Sequence, residues 1–187
     1  MTDHDFLMTR RWIAVLSGVG AANMTIASLR QLGVIHHLPD PPIAGFDSDA
    51  VVTSRAAYAL GIPDGPIAAL SLAANVPLAL TGGRRRSRDV PWLPIVIAAK
   101  AVVEVSVGAW YLVQMRTRIH AWCAYCLVST TILGCIAVLA MREADDALRR
   151  RHARALGAAG AVLLAAAAFA GMSLLDARRR QSPSARR

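Results

Sequence analysis

Cysteine, lysine and aromatic residues are scarce in this chain of 187 residues. It has three cysteines and a single lysine, and 5% of its residues are aromatic. Three cysteines are too few for the disulfide scaffold of a small secreted domain. The basic residues are not interleaved with aromatic ones along one surface, as in nucleic-acid-binding proteins, so we expect no nucleic-acid partner.

Apolar residues and arginine, in contrast, are abundant. Hydrophobic residues make up 55% of the chain, and 21 Lys and Arg stand against 12 Asp and Glu. The mean hydropathy is +0.42 and the pI is near 10.9. The apolar residues form long blocks that are separated by arginine clusters, which is the pattern of a polytopic membrane protein. Membrane lipid is therefore the first partner that the composition predicts.

Five apolar blocks are each long enough to cross the hydrocarbon core of a bilayer, which takes about 20 helical residues. Tryptophan and tyrosine lie at several block ends, where such side chains prefer the level of the lipid headgroups. We therefore predict an all-α fold, a polytopic helix bundle that forms a single integral membrane domain over residues 1–187. The predicted spans are about 12–32, 65–82, 91–115, 121–141 and 155–175, with an outer loop at 33–64 and a basic tail at 176–187.

The arginine distribution predicts a cytoplasmic N-terminus. In that orientation the segments on the cytoplasmic side hold 11 arginines and the outer connections hold four, as the positive-inside rule requires. Five spans put the basic tail outside, against the same rule, so either the fifth block is not a full span or the earlier helices set the topology. The proline-rich outer loop contains a helical pattern from about Ser48 to Leu60, which predicts a short cap over the bundle.

Cys123 and Cys126 form a C-x-x-C at the start of the fourth block. Residues three apart share one face of a helix, close enough for a disulfide across one turn. A helix N-terminus also favours the thiolate, and the outer membrane face borders an oxidising compartment. We interpret the pair as redox-active; the alternatives are a chance pair of small residues and half of a metal site. No second C-x-x-C or well-placed histidine pair completes a zinc site, so no metal is predicted.

Several other polar residues admit two interpretations. His120 either lowers the pKa of Cys123 by its charge or is a solvated cap residue. Cys135 is expected to be a buried packing residue, and the His36-His37 pair is expected at the surface. Four polar residues within the blocks are expected to hydrogen-bond between helices rather than to contact a ligand. These four are Asn23, Ser71, Asn75 and Ser129.

Two segments resemble the vitamin K epoxide reductase family in its bacterial form. One is Trp-Cys-Ala-Tyr-Cys-Leu-Val-Ser at 122–129. The other is Phe-Asp-Ser-Asp-Ala-Val-Val-Thr-Ser at 46–54, followed by Gly-Ile-Pro-Asp at 61–64. The resemblance extends from the first to the fourth span. It implies a four-helix core around a quinone pocket, a fifth helix, and an extracytoplasmic cap.

The resemblance also implies a function and a site. Electrons would pass from extracytoplasmic dithiols through Cys123 and Cys126 to a quinone, ubiquinone or menaquinone, in the plasma membrane of a bacterial cell, in support of disulfide formation. Cys123 exchanges with the incoming thiol and Cys126 faces the quinone, which Asp64, Tyr125 and Ser129 help to bind. The thiol donor would be a separate thioredoxin-like protein or a small thiol.

The chain departs from the family pattern at the outer loop. Phe46 and Ser54 stand where the family has two cysteines that carry electrons to the membrane C-x-x-C, and Arg55 stands at a family serine. Asp64 replaces an asparagine that hydrogen-bonds the quinone. Either electrons arrive directly at Cys123, or the chain is a non-enzymatic assembly or interaction protein on the same scaffold.

Lys100 and Glu104 are four residues apart in the middle of the third block. Charged residues at that depth face the interior of a bundle or a cavity, and this spacing lets them neutralise each other. They form either a proton route or polar anchor near the quinone, or a structural ion pair.

Overall fold

The computed structural model describes residues 3–83 and 86–150, and over these residues it confirms the all-α fold. A single β-bridge, between Phe46 and Trp122, is the only strand-like pairing in this part of the chain. The predicted fifth span and the basic tail lie outside the described residues. The helices are α1 (Asp3–Gln31), α2 (Ser48–Val52), α3 (Asp64–Leu80), α4 (Arg86–Asp89), α5 (Trp92–Gln114) and α6 (Ala124–Arg150), with a π-helical turn at Met115–Ile119.

Helices α1, α3, α5 and α6 form the bundle. Within residues 3–83 and 86–150, three stretches are long and apolar enough to cross a membrane: Phe6–Gln31, Trp92–Ile119 and Ala124–Arg149. Helix α3 is also apolar but has 17 residues, which corresponds to about 26 Å. Large apolar side chains such as Trp12, Val19 and Leu70 point outwards and are exposed, as expected for a bundle surrounded by lipid.

Close approach of the helices depends on glycine at two crossings. A Cβ atom on Gly20 of α1 would lie 3.2 Å from Leu72 and 3.3 Å from Ile132. A Cβ atom on Gly108 of α5 would lie 2.8 Å from the hydroxyl of Thr130 on α6. Small residues let membrane helices pack through their backbones. Gly20 and Gly108 therefore determine how closely α1, α3, α5 and α6 pack against one another.

A buried ion cluster joins the helices at the end of the bundle opposite the cap. Glu143 accepts hydrogen bonds from Arg10 (2.6 and 2.9 Å) and from Arg86 (2.6 and 3.1 Å), and all three residues are buried. Arg86 also donates to three carbonyls at the end of α3, those of Leu78, Ala79 and Thr81. Arg10 and Arg86 are among the 11 arginines that were assigned to the cytoplasmic side, and each also binds a buried carboxylate.

The cap is shorter than predicted. The helical pattern at 48–60 forms a helix only at Ser48–Val52, and turns follow it. The reason is that the carbonyl of Val52, which a continuing helix would use internally, accepts a hydrogen bond from Gln31 at 2.9 Å. The carbonyl of Ala56 likewise accepts one from the Tyr111 hydroxyl at 2.8 Å. Tertiary contacts thus end the helix early.

The fourth span also starts later than predicted, at Ala124 instead of about 121. The backbone of Trp122 is paired with the cap segment: its N–H donates to Gly45 at 2.8 Å, and its carbonyl accepts from Asp47 at 3.0 Å. Before it, His120 adopts a left-handed conformation with φ of 57° that ends the π-helical turn. After this turn, the backbone of Trp122 pairs with the outer-loop segment and connects to the start of α6.

Candidate redox site

Cys123 is the residue that caps the N-terminus of α6. Its sulfur accepts a hydrogen bond from the backbone N–H of Cys126 at 3.2 Å, and its carbonyl accepts from Leu127 at 3.0 Å. Both cysteines are free thiols. The first N–H groups of a helix have no partner within the helix, and a side-chain acceptor at this position satisfies one of them. The C-x-x-C spacing thus puts one thiol at the cap position and the other on the first turn.

The outer loop completes this helix end. The N–H of Ala124 donates to the hydroxyl of Ser48 at 3.1 Å. The β-bridge between Phe46 and Trp122 holds the loop segment next to Cys123, whose side chain is fully buried. Phe46, which stands at the position of a loop cysteine in the family, therefore pairs with Trp122, the residue that precedes Cys123.

The surroundings of Cys123 favour its thiolate form. Hydrogen bonds from the Cys126 thiol and the Cys126 backbone lower the pKa of Cys123, although burial acts in the opposite direction. Hydrogen-bond donors directed at a sulfur stabilise its negative charge. A thiol with a lowered pKa exchanges with disulfides at neutral pH more readily than an ordinary cysteine. His120, in contrast, is exposed, which fits a solvated cap residue.

Cys126 is half-buried and faces a small cavity at the cap end of the bundle. The cavity has a volume of about 20 Å³, and α1, α2, α3, α5 and α6 all contribute to its walls. Its polar wall consists of Gln31, Asp64 and Tyr111; the remaining wall residues are Met24, Ala27, Val51, Val52, Ala57 and Gly65. Thiol, carboxyl, amide and phenol groups thus meet in an otherwise apolar space.

Gln31, at the end of α1, fixes the position of Asp64. Its amide nitrogen donates to the Asp64 carboxylate at 2.7 Å and to the Val52 carbonyl at 2.9 Å. Its amide oxygen accepts from the Gly65 N–H at 2.9 Å. One side chain therefore ties together α1, the cap and the start of α3. The sequence analysis missed Gln31, and its polarity at the end of an apolar block was the available signal.

Tyr111 is the second wall residue that the sequence analysis missed. Like the other aromatic residues near block ends, it was expected at the level of the headgroups. Its hydroxyl instead donates to the Ala56 carbonyl at 2.8 Å, and its side chain lines the cavity beside Asp64. The available signal for an inward-facing side chain was its position within a predicted span, among mostly aliphatic residues.

Two of the predicted quinone-binding residues do not line this cavity. The Tyr125 hydroxyl donates to the Pro39 carbonyl at 3.3 Å, towards the outer loop. The Ser129 hydroxyl accepts from Asn23 at 2.9 Å, and the same amide group donates to the Tyr125 carbonyl at 2.8 Å. Asn23 and Ser129 thus hydrogen-bond between α1 and α6, as expected. The structure brings together Asp64, Cys126 and, through the helix cap, Cys123.

Lys100 and Glu104 form a half-buried ion pair that bridges α5 and α3. Lys100 donates to the Ser71 carbonyl at 3.0 Å and to Asn75 at 2.7 Å, and it pairs with Glu104. Glu104 also accepts from Ser71 and from Asn75. The pair lies beside an open groove of about 420 Å³ between the two helices. Ser71 and Asn75 therefore connect helices, as expected.

Two other expectations have different outcomes. Cys135 was predicted to be a buried packing residue, but it is exposed on α6, so this prediction was wrong. His37 is exposed, as expected, but it pairs with Asp49, which also binds Arg30 at 2.6 Å. Hydrogen bonds from Arg30 and His37 hold the pKa of Asp49 below its usual value, although burial acts to raise it.

In residues 3–83 and 86–150 no three His, Cys, Asp or Glu side chains converge as a metal site.

Comparison with known proteins agrees with this architecture. The sequence profile of the vitamin K epoxide reductase family matches residues 11–141, which is more than two thirds of the chain. The match includes the outer loop, the cap and the C-x-x-C. No curated protein matches the chain. This protein therefore belongs to the vitamin K epoxide reductase family.

Proposed function

We propose that this protein is a membrane thiol–quinone oxidoreductase that supports disulfide formation. It takes electrons from extracytoplasmic dithiols and passes them through Cys123 and Cys126 to ubiquinone or menaquinone. The observation that carries the proposal is the arrangement of the two thiols. Cys123 caps α6 and has a lowered pKa, and Cys126, one turn further on, faces a cavity with Asp64 and Tyr111.

The residues around Cys126 suit a quinone chemically. A quinone ring needs apolar walls and polar groups near its carbonyl oxygens, and the cavity offers both. Its volume of about 20 Å³ is that of roughly one water site. A ring therefore enters only when the walls move apart. When bound, a quinone accepts two electrons and two protons.

The two cysteines divide the thiol chemistry between them. In the oxidised pair, the thiolate of an incoming dithiol attacks the sulfur of Cys123, and Cys126 leaves as a thiolate. The second thiol of the donor then attacks its own mixed disulfide and releases Cys123, so the donor is oxidised and the pair is reduced. Two electrons then leave through Cys126 as the Cys123–Cys126 disulfide re-forms. The dithiol gives up two electrons and two protons, which is what quinone reduction consumes.

Electrons in this scheme arrive directly at Cys123, because Phe46 and Ser54 cannot form a shuttle disulfide. Cys123 is fully buried, so the incoming thiol reaches it only when the loop segment at 45–47 is displaced. The donor is a thioredoxin-like dithiol protein or a small thiol. The protein lies in a bacterial plasma membrane with its N-terminus in the cytoplasm and its cap outside, an orientation that the arginine distribution supports.

The test is an assay of the purified protein in detergent with a dithiol and a soluble ubiquinone or menaquinone analogue. Quinone absorbance is followed for the wild type, Cys123→Ala, Cys126→Ala and Cys135→Ala. We expect the wild type and Cys135→Ala to reduce quinone well above the uncatalysed rate, and the other two variants to fall to that rate. Cys135 is the matched control because it lies on the same helix and is exposed. A wild-type rate equal to background would overturn the proposal.

A second candidate is a non-enzymatic assembly or interaction protein on the same scaffold. The phenylalanine and serine at the two loop-cysteine positions favour it, since they remove the family's route for electrons. Under this alternative the wild type and Cys126→Ala behave identically in the assay with both quinones.

A further inference from the structure

Residues 41–47 of the outer loop form a flap whose two ends are held together. The Asp40 carboxylate accepts the backbone N–H of Ser48 at 2.7 Å and the Ser48 hydroxyl at 2.5 Å. The same hydroxyl accepts the N–H of Ala124 at 3.1 Å. The base of this segment, which we call the outer flap, is therefore fixed to the start of α6.

The tip of the outer flap holds Trp122 through backbone atoms. The Trp122 N–H donates to the Gly45 carbonyl at 2.8 Å, and the Trp122 carbonyl accepts from the Asp47 N–H at 3.0 Å. These two bonds form the parallel bridge between Phe46 and Trp122. Both backbone groups of Trp122 thus point to the same side, as in one unit of a parallel β-ladder. Trp122 directly precedes Cys123, so the pairing edge and the reactive sulfur are neighbours.

The tip of the outer flap can separate from Trp122 while its base stays in place. Residues 42–45 are exposed, whereas Cys123 is fully buried. Asp47, at the end of the flap, also caps α2, where its carboxylate accepts the Ala50 N–H at 2.8 Å, so the flap turns about this residue. An incoming thiol reaches Cys123 once the two bonds to Trp122 have opened.

We propose that the backbone edge of Trp122 is the docking site of the dithiol donor, and that an extended segment beside the donor's cysteine replaces the outer flap there. An open flap leaves the N–H and the carbonyl of Trp122 without their partners, and buried backbone groups require partners. An extended peptide segment supplies one carbonyl and one N–H at the required spacing, as when a strand is added to a free edge. A small thiol has no such groups.

Docking at Trp122 rests on the proposed function and deepens it, because it names the class of donor that the site takes. The donor is a protein or peptide dithiol whose cysteine lies in an extended segment. Pairing with Trp122 puts the donor's cysteine beside Cys123, so that its thiolate attacks the Cys123 sulfur and Cys126 leaves as a thiolate. The outer flap competes for the same two hydrogen bonds, and it therefore covers Cys123 when no donor is bound.

The experiment measures how fast Cys123 forms a mixed disulfide with an activated peptide. The full-length protein in detergent carries Cys126→Ala and Cys135→Ala, so that Cys123 is its single thiol. The probe is a short peptide of β-branched residues around one cysteine, which is linked to 2-thiopyridine as a disulfide. The Cys123 thiolate attacks the sulfur of the peptide cysteine, the mixed disulfide forms, and pyridine-2-thione leaves and is followed by its absorbance.

Two control probes isolate the contribution of the peptide backbone. One is the same peptide with N-methyl groups on the residues that flank the cysteine, which removes their N–H donors. The other is the 2-thiopyridine disulfide of mercaptoethanol, which has no peptide backbone. Each rate is divided by the rate of the same probe with free cysteine. We expect the unmodified peptide to react about tenfold faster than either control, the effect of two ordinary hydrogen bonds. A control probe that reacts as fast as the unmodified peptide would overturn the proposal.

Two glycine variants test the outer flap itself. Gly45 and Gly61 both have positive φ, of 92° and 82°, and alanine is strained at such positions. Gly45→Ala strains the closed flap and should speed the reaction of all three probes by about tenfold. Gly61→Ala, in the turn before α3, is the matched control and should leave the rates unchanged. Equal rates in the two variants would contradict the role of the flap.

The comparison of probes needs no flap variant, so it decides the question of docking even if Gly45→Ala fails to fold. The exchange assay contains neither quinone nor Cys126. A protein that prefers the unmodified peptide but reduces no quinone would refute the proposed function alone. Quinone reduction without this preference would refute docking at Trp122 alone.

Discussion

Replacing Gly65 with alanine is expected to separate Gln31 from the start of α3, although it adds only one methyl group. A Cβ atom at this position would lie 2.5 Å from the amide oxygen of Gln31 and 3.0 Å from the hydroxyl of Ser28. The Gln31 side chain must therefore move. It makes three hydrogen bonds, to Val52, Asp64 and Gly65, at 2.7 to 2.9 Å.

The expected cost follows from these bonds. Each contributes about 1 kcal/mol to the free energy of unfolding, so losing all three costs about 3 kcal/mol. Alanine is favoured over glycine inside a helix by about 1 kcal/mol. The net loss is about 2 kcal/mol, which lowers the midpoint of thermal unfolding by roughly 4–8 °C for a chain of this size. Quinone reduction should fall as well, because Asp64 and the cap lose their common anchor.

The assay is thermal unfolding of the purified protein in detergent, with Gly18→Ala as the matched control. A Cβ atom on Gly18 would meet nothing within 4 Å, so that variant should be at least as stable as the wild type. In a Gln31→Ala background the clash with the amide is removed, and Gly65→Ala should cost much less. The reasoning fails if Gly65→Ala is as stable as Gly18→Ala, or if its cost is the same with and without Gln31.

Three other predictions concern charged groups. Glu143→Ala leaves the buried Arg10 and Arg86 without their carboxylate and should lower the free energy of unfolding by about 3–5 kcal/mol. The control Asp145→Ala, which breaks the exposed pair with Arg149, should cost less than about 1 kcal/mol. Equal unfolding midpoints for the two variants would contradict this prediction. Lys100→Met and Glu104→Gln each leave one charge uncompensated within the membrane, so each single substitution should destabilise the protein. Either substitution should then cost less in the background of the other than in the wild type, and strictly additive shifts of the unfolding midpoint would argue against the pair. Since the pKa of Asp49 is lowered in the folded protein, its contribution to stability is complete above the unfolded value of about 3.9 and is lost as the pH falls below it. Protection of residues 35–52 against hydrogen exchange, taken relative to the intrinsic exchange rate at each pH, should therefore decrease below about pH 4 in the wild type and should already be reduced at pH 7 in Asp49→Asn.

Local pattern was sufficient to predict part of the fold and of the site. Apolar block length predicted the all-α fold, which is confirmed, and the C-x-x-C spacing placed Cys123 and Cys126 at the start of a helix. The family resemblance, confirmed by the profile match, predicted that Asp64 lies near these cysteines. Each of these inferences depends on neighbouring residues or on a contiguous motif.

The remaining features depend on contacts between residues far apart in the chain. Gln31 lies 33 residues from Asp64, and Arg10 lies 133 residues from Glu143. Neither pair has a local spacing that marks it. The cap was predicted too long because its helical pattern could not reveal that Gln31 and Tyr111 bind the carbonyls that end it. Cys135 was placed in the interior because helical periodicity shows that a residue differs in face from Cys126, but not which face meets lipid.

The capping role of Cys123 couples the end of a helix to the redox state of the protein. A thiolate is a strong hydrogen-bond acceptor, whereas a disulfide sulfur carries no charge and accepts only weakly. The N–H of Cys126, which donates to Cys123 at 3.2 Å, is therefore better satisfied in the reduced protein. Interactions that stabilise the reduced form raise the reduction potential, by about 30 mV for each 1.4 kcal/mol. The start of α6 thus makes the pair a stronger oxidant of incoming dithiols than the same two cysteines would be in an unstructured chain.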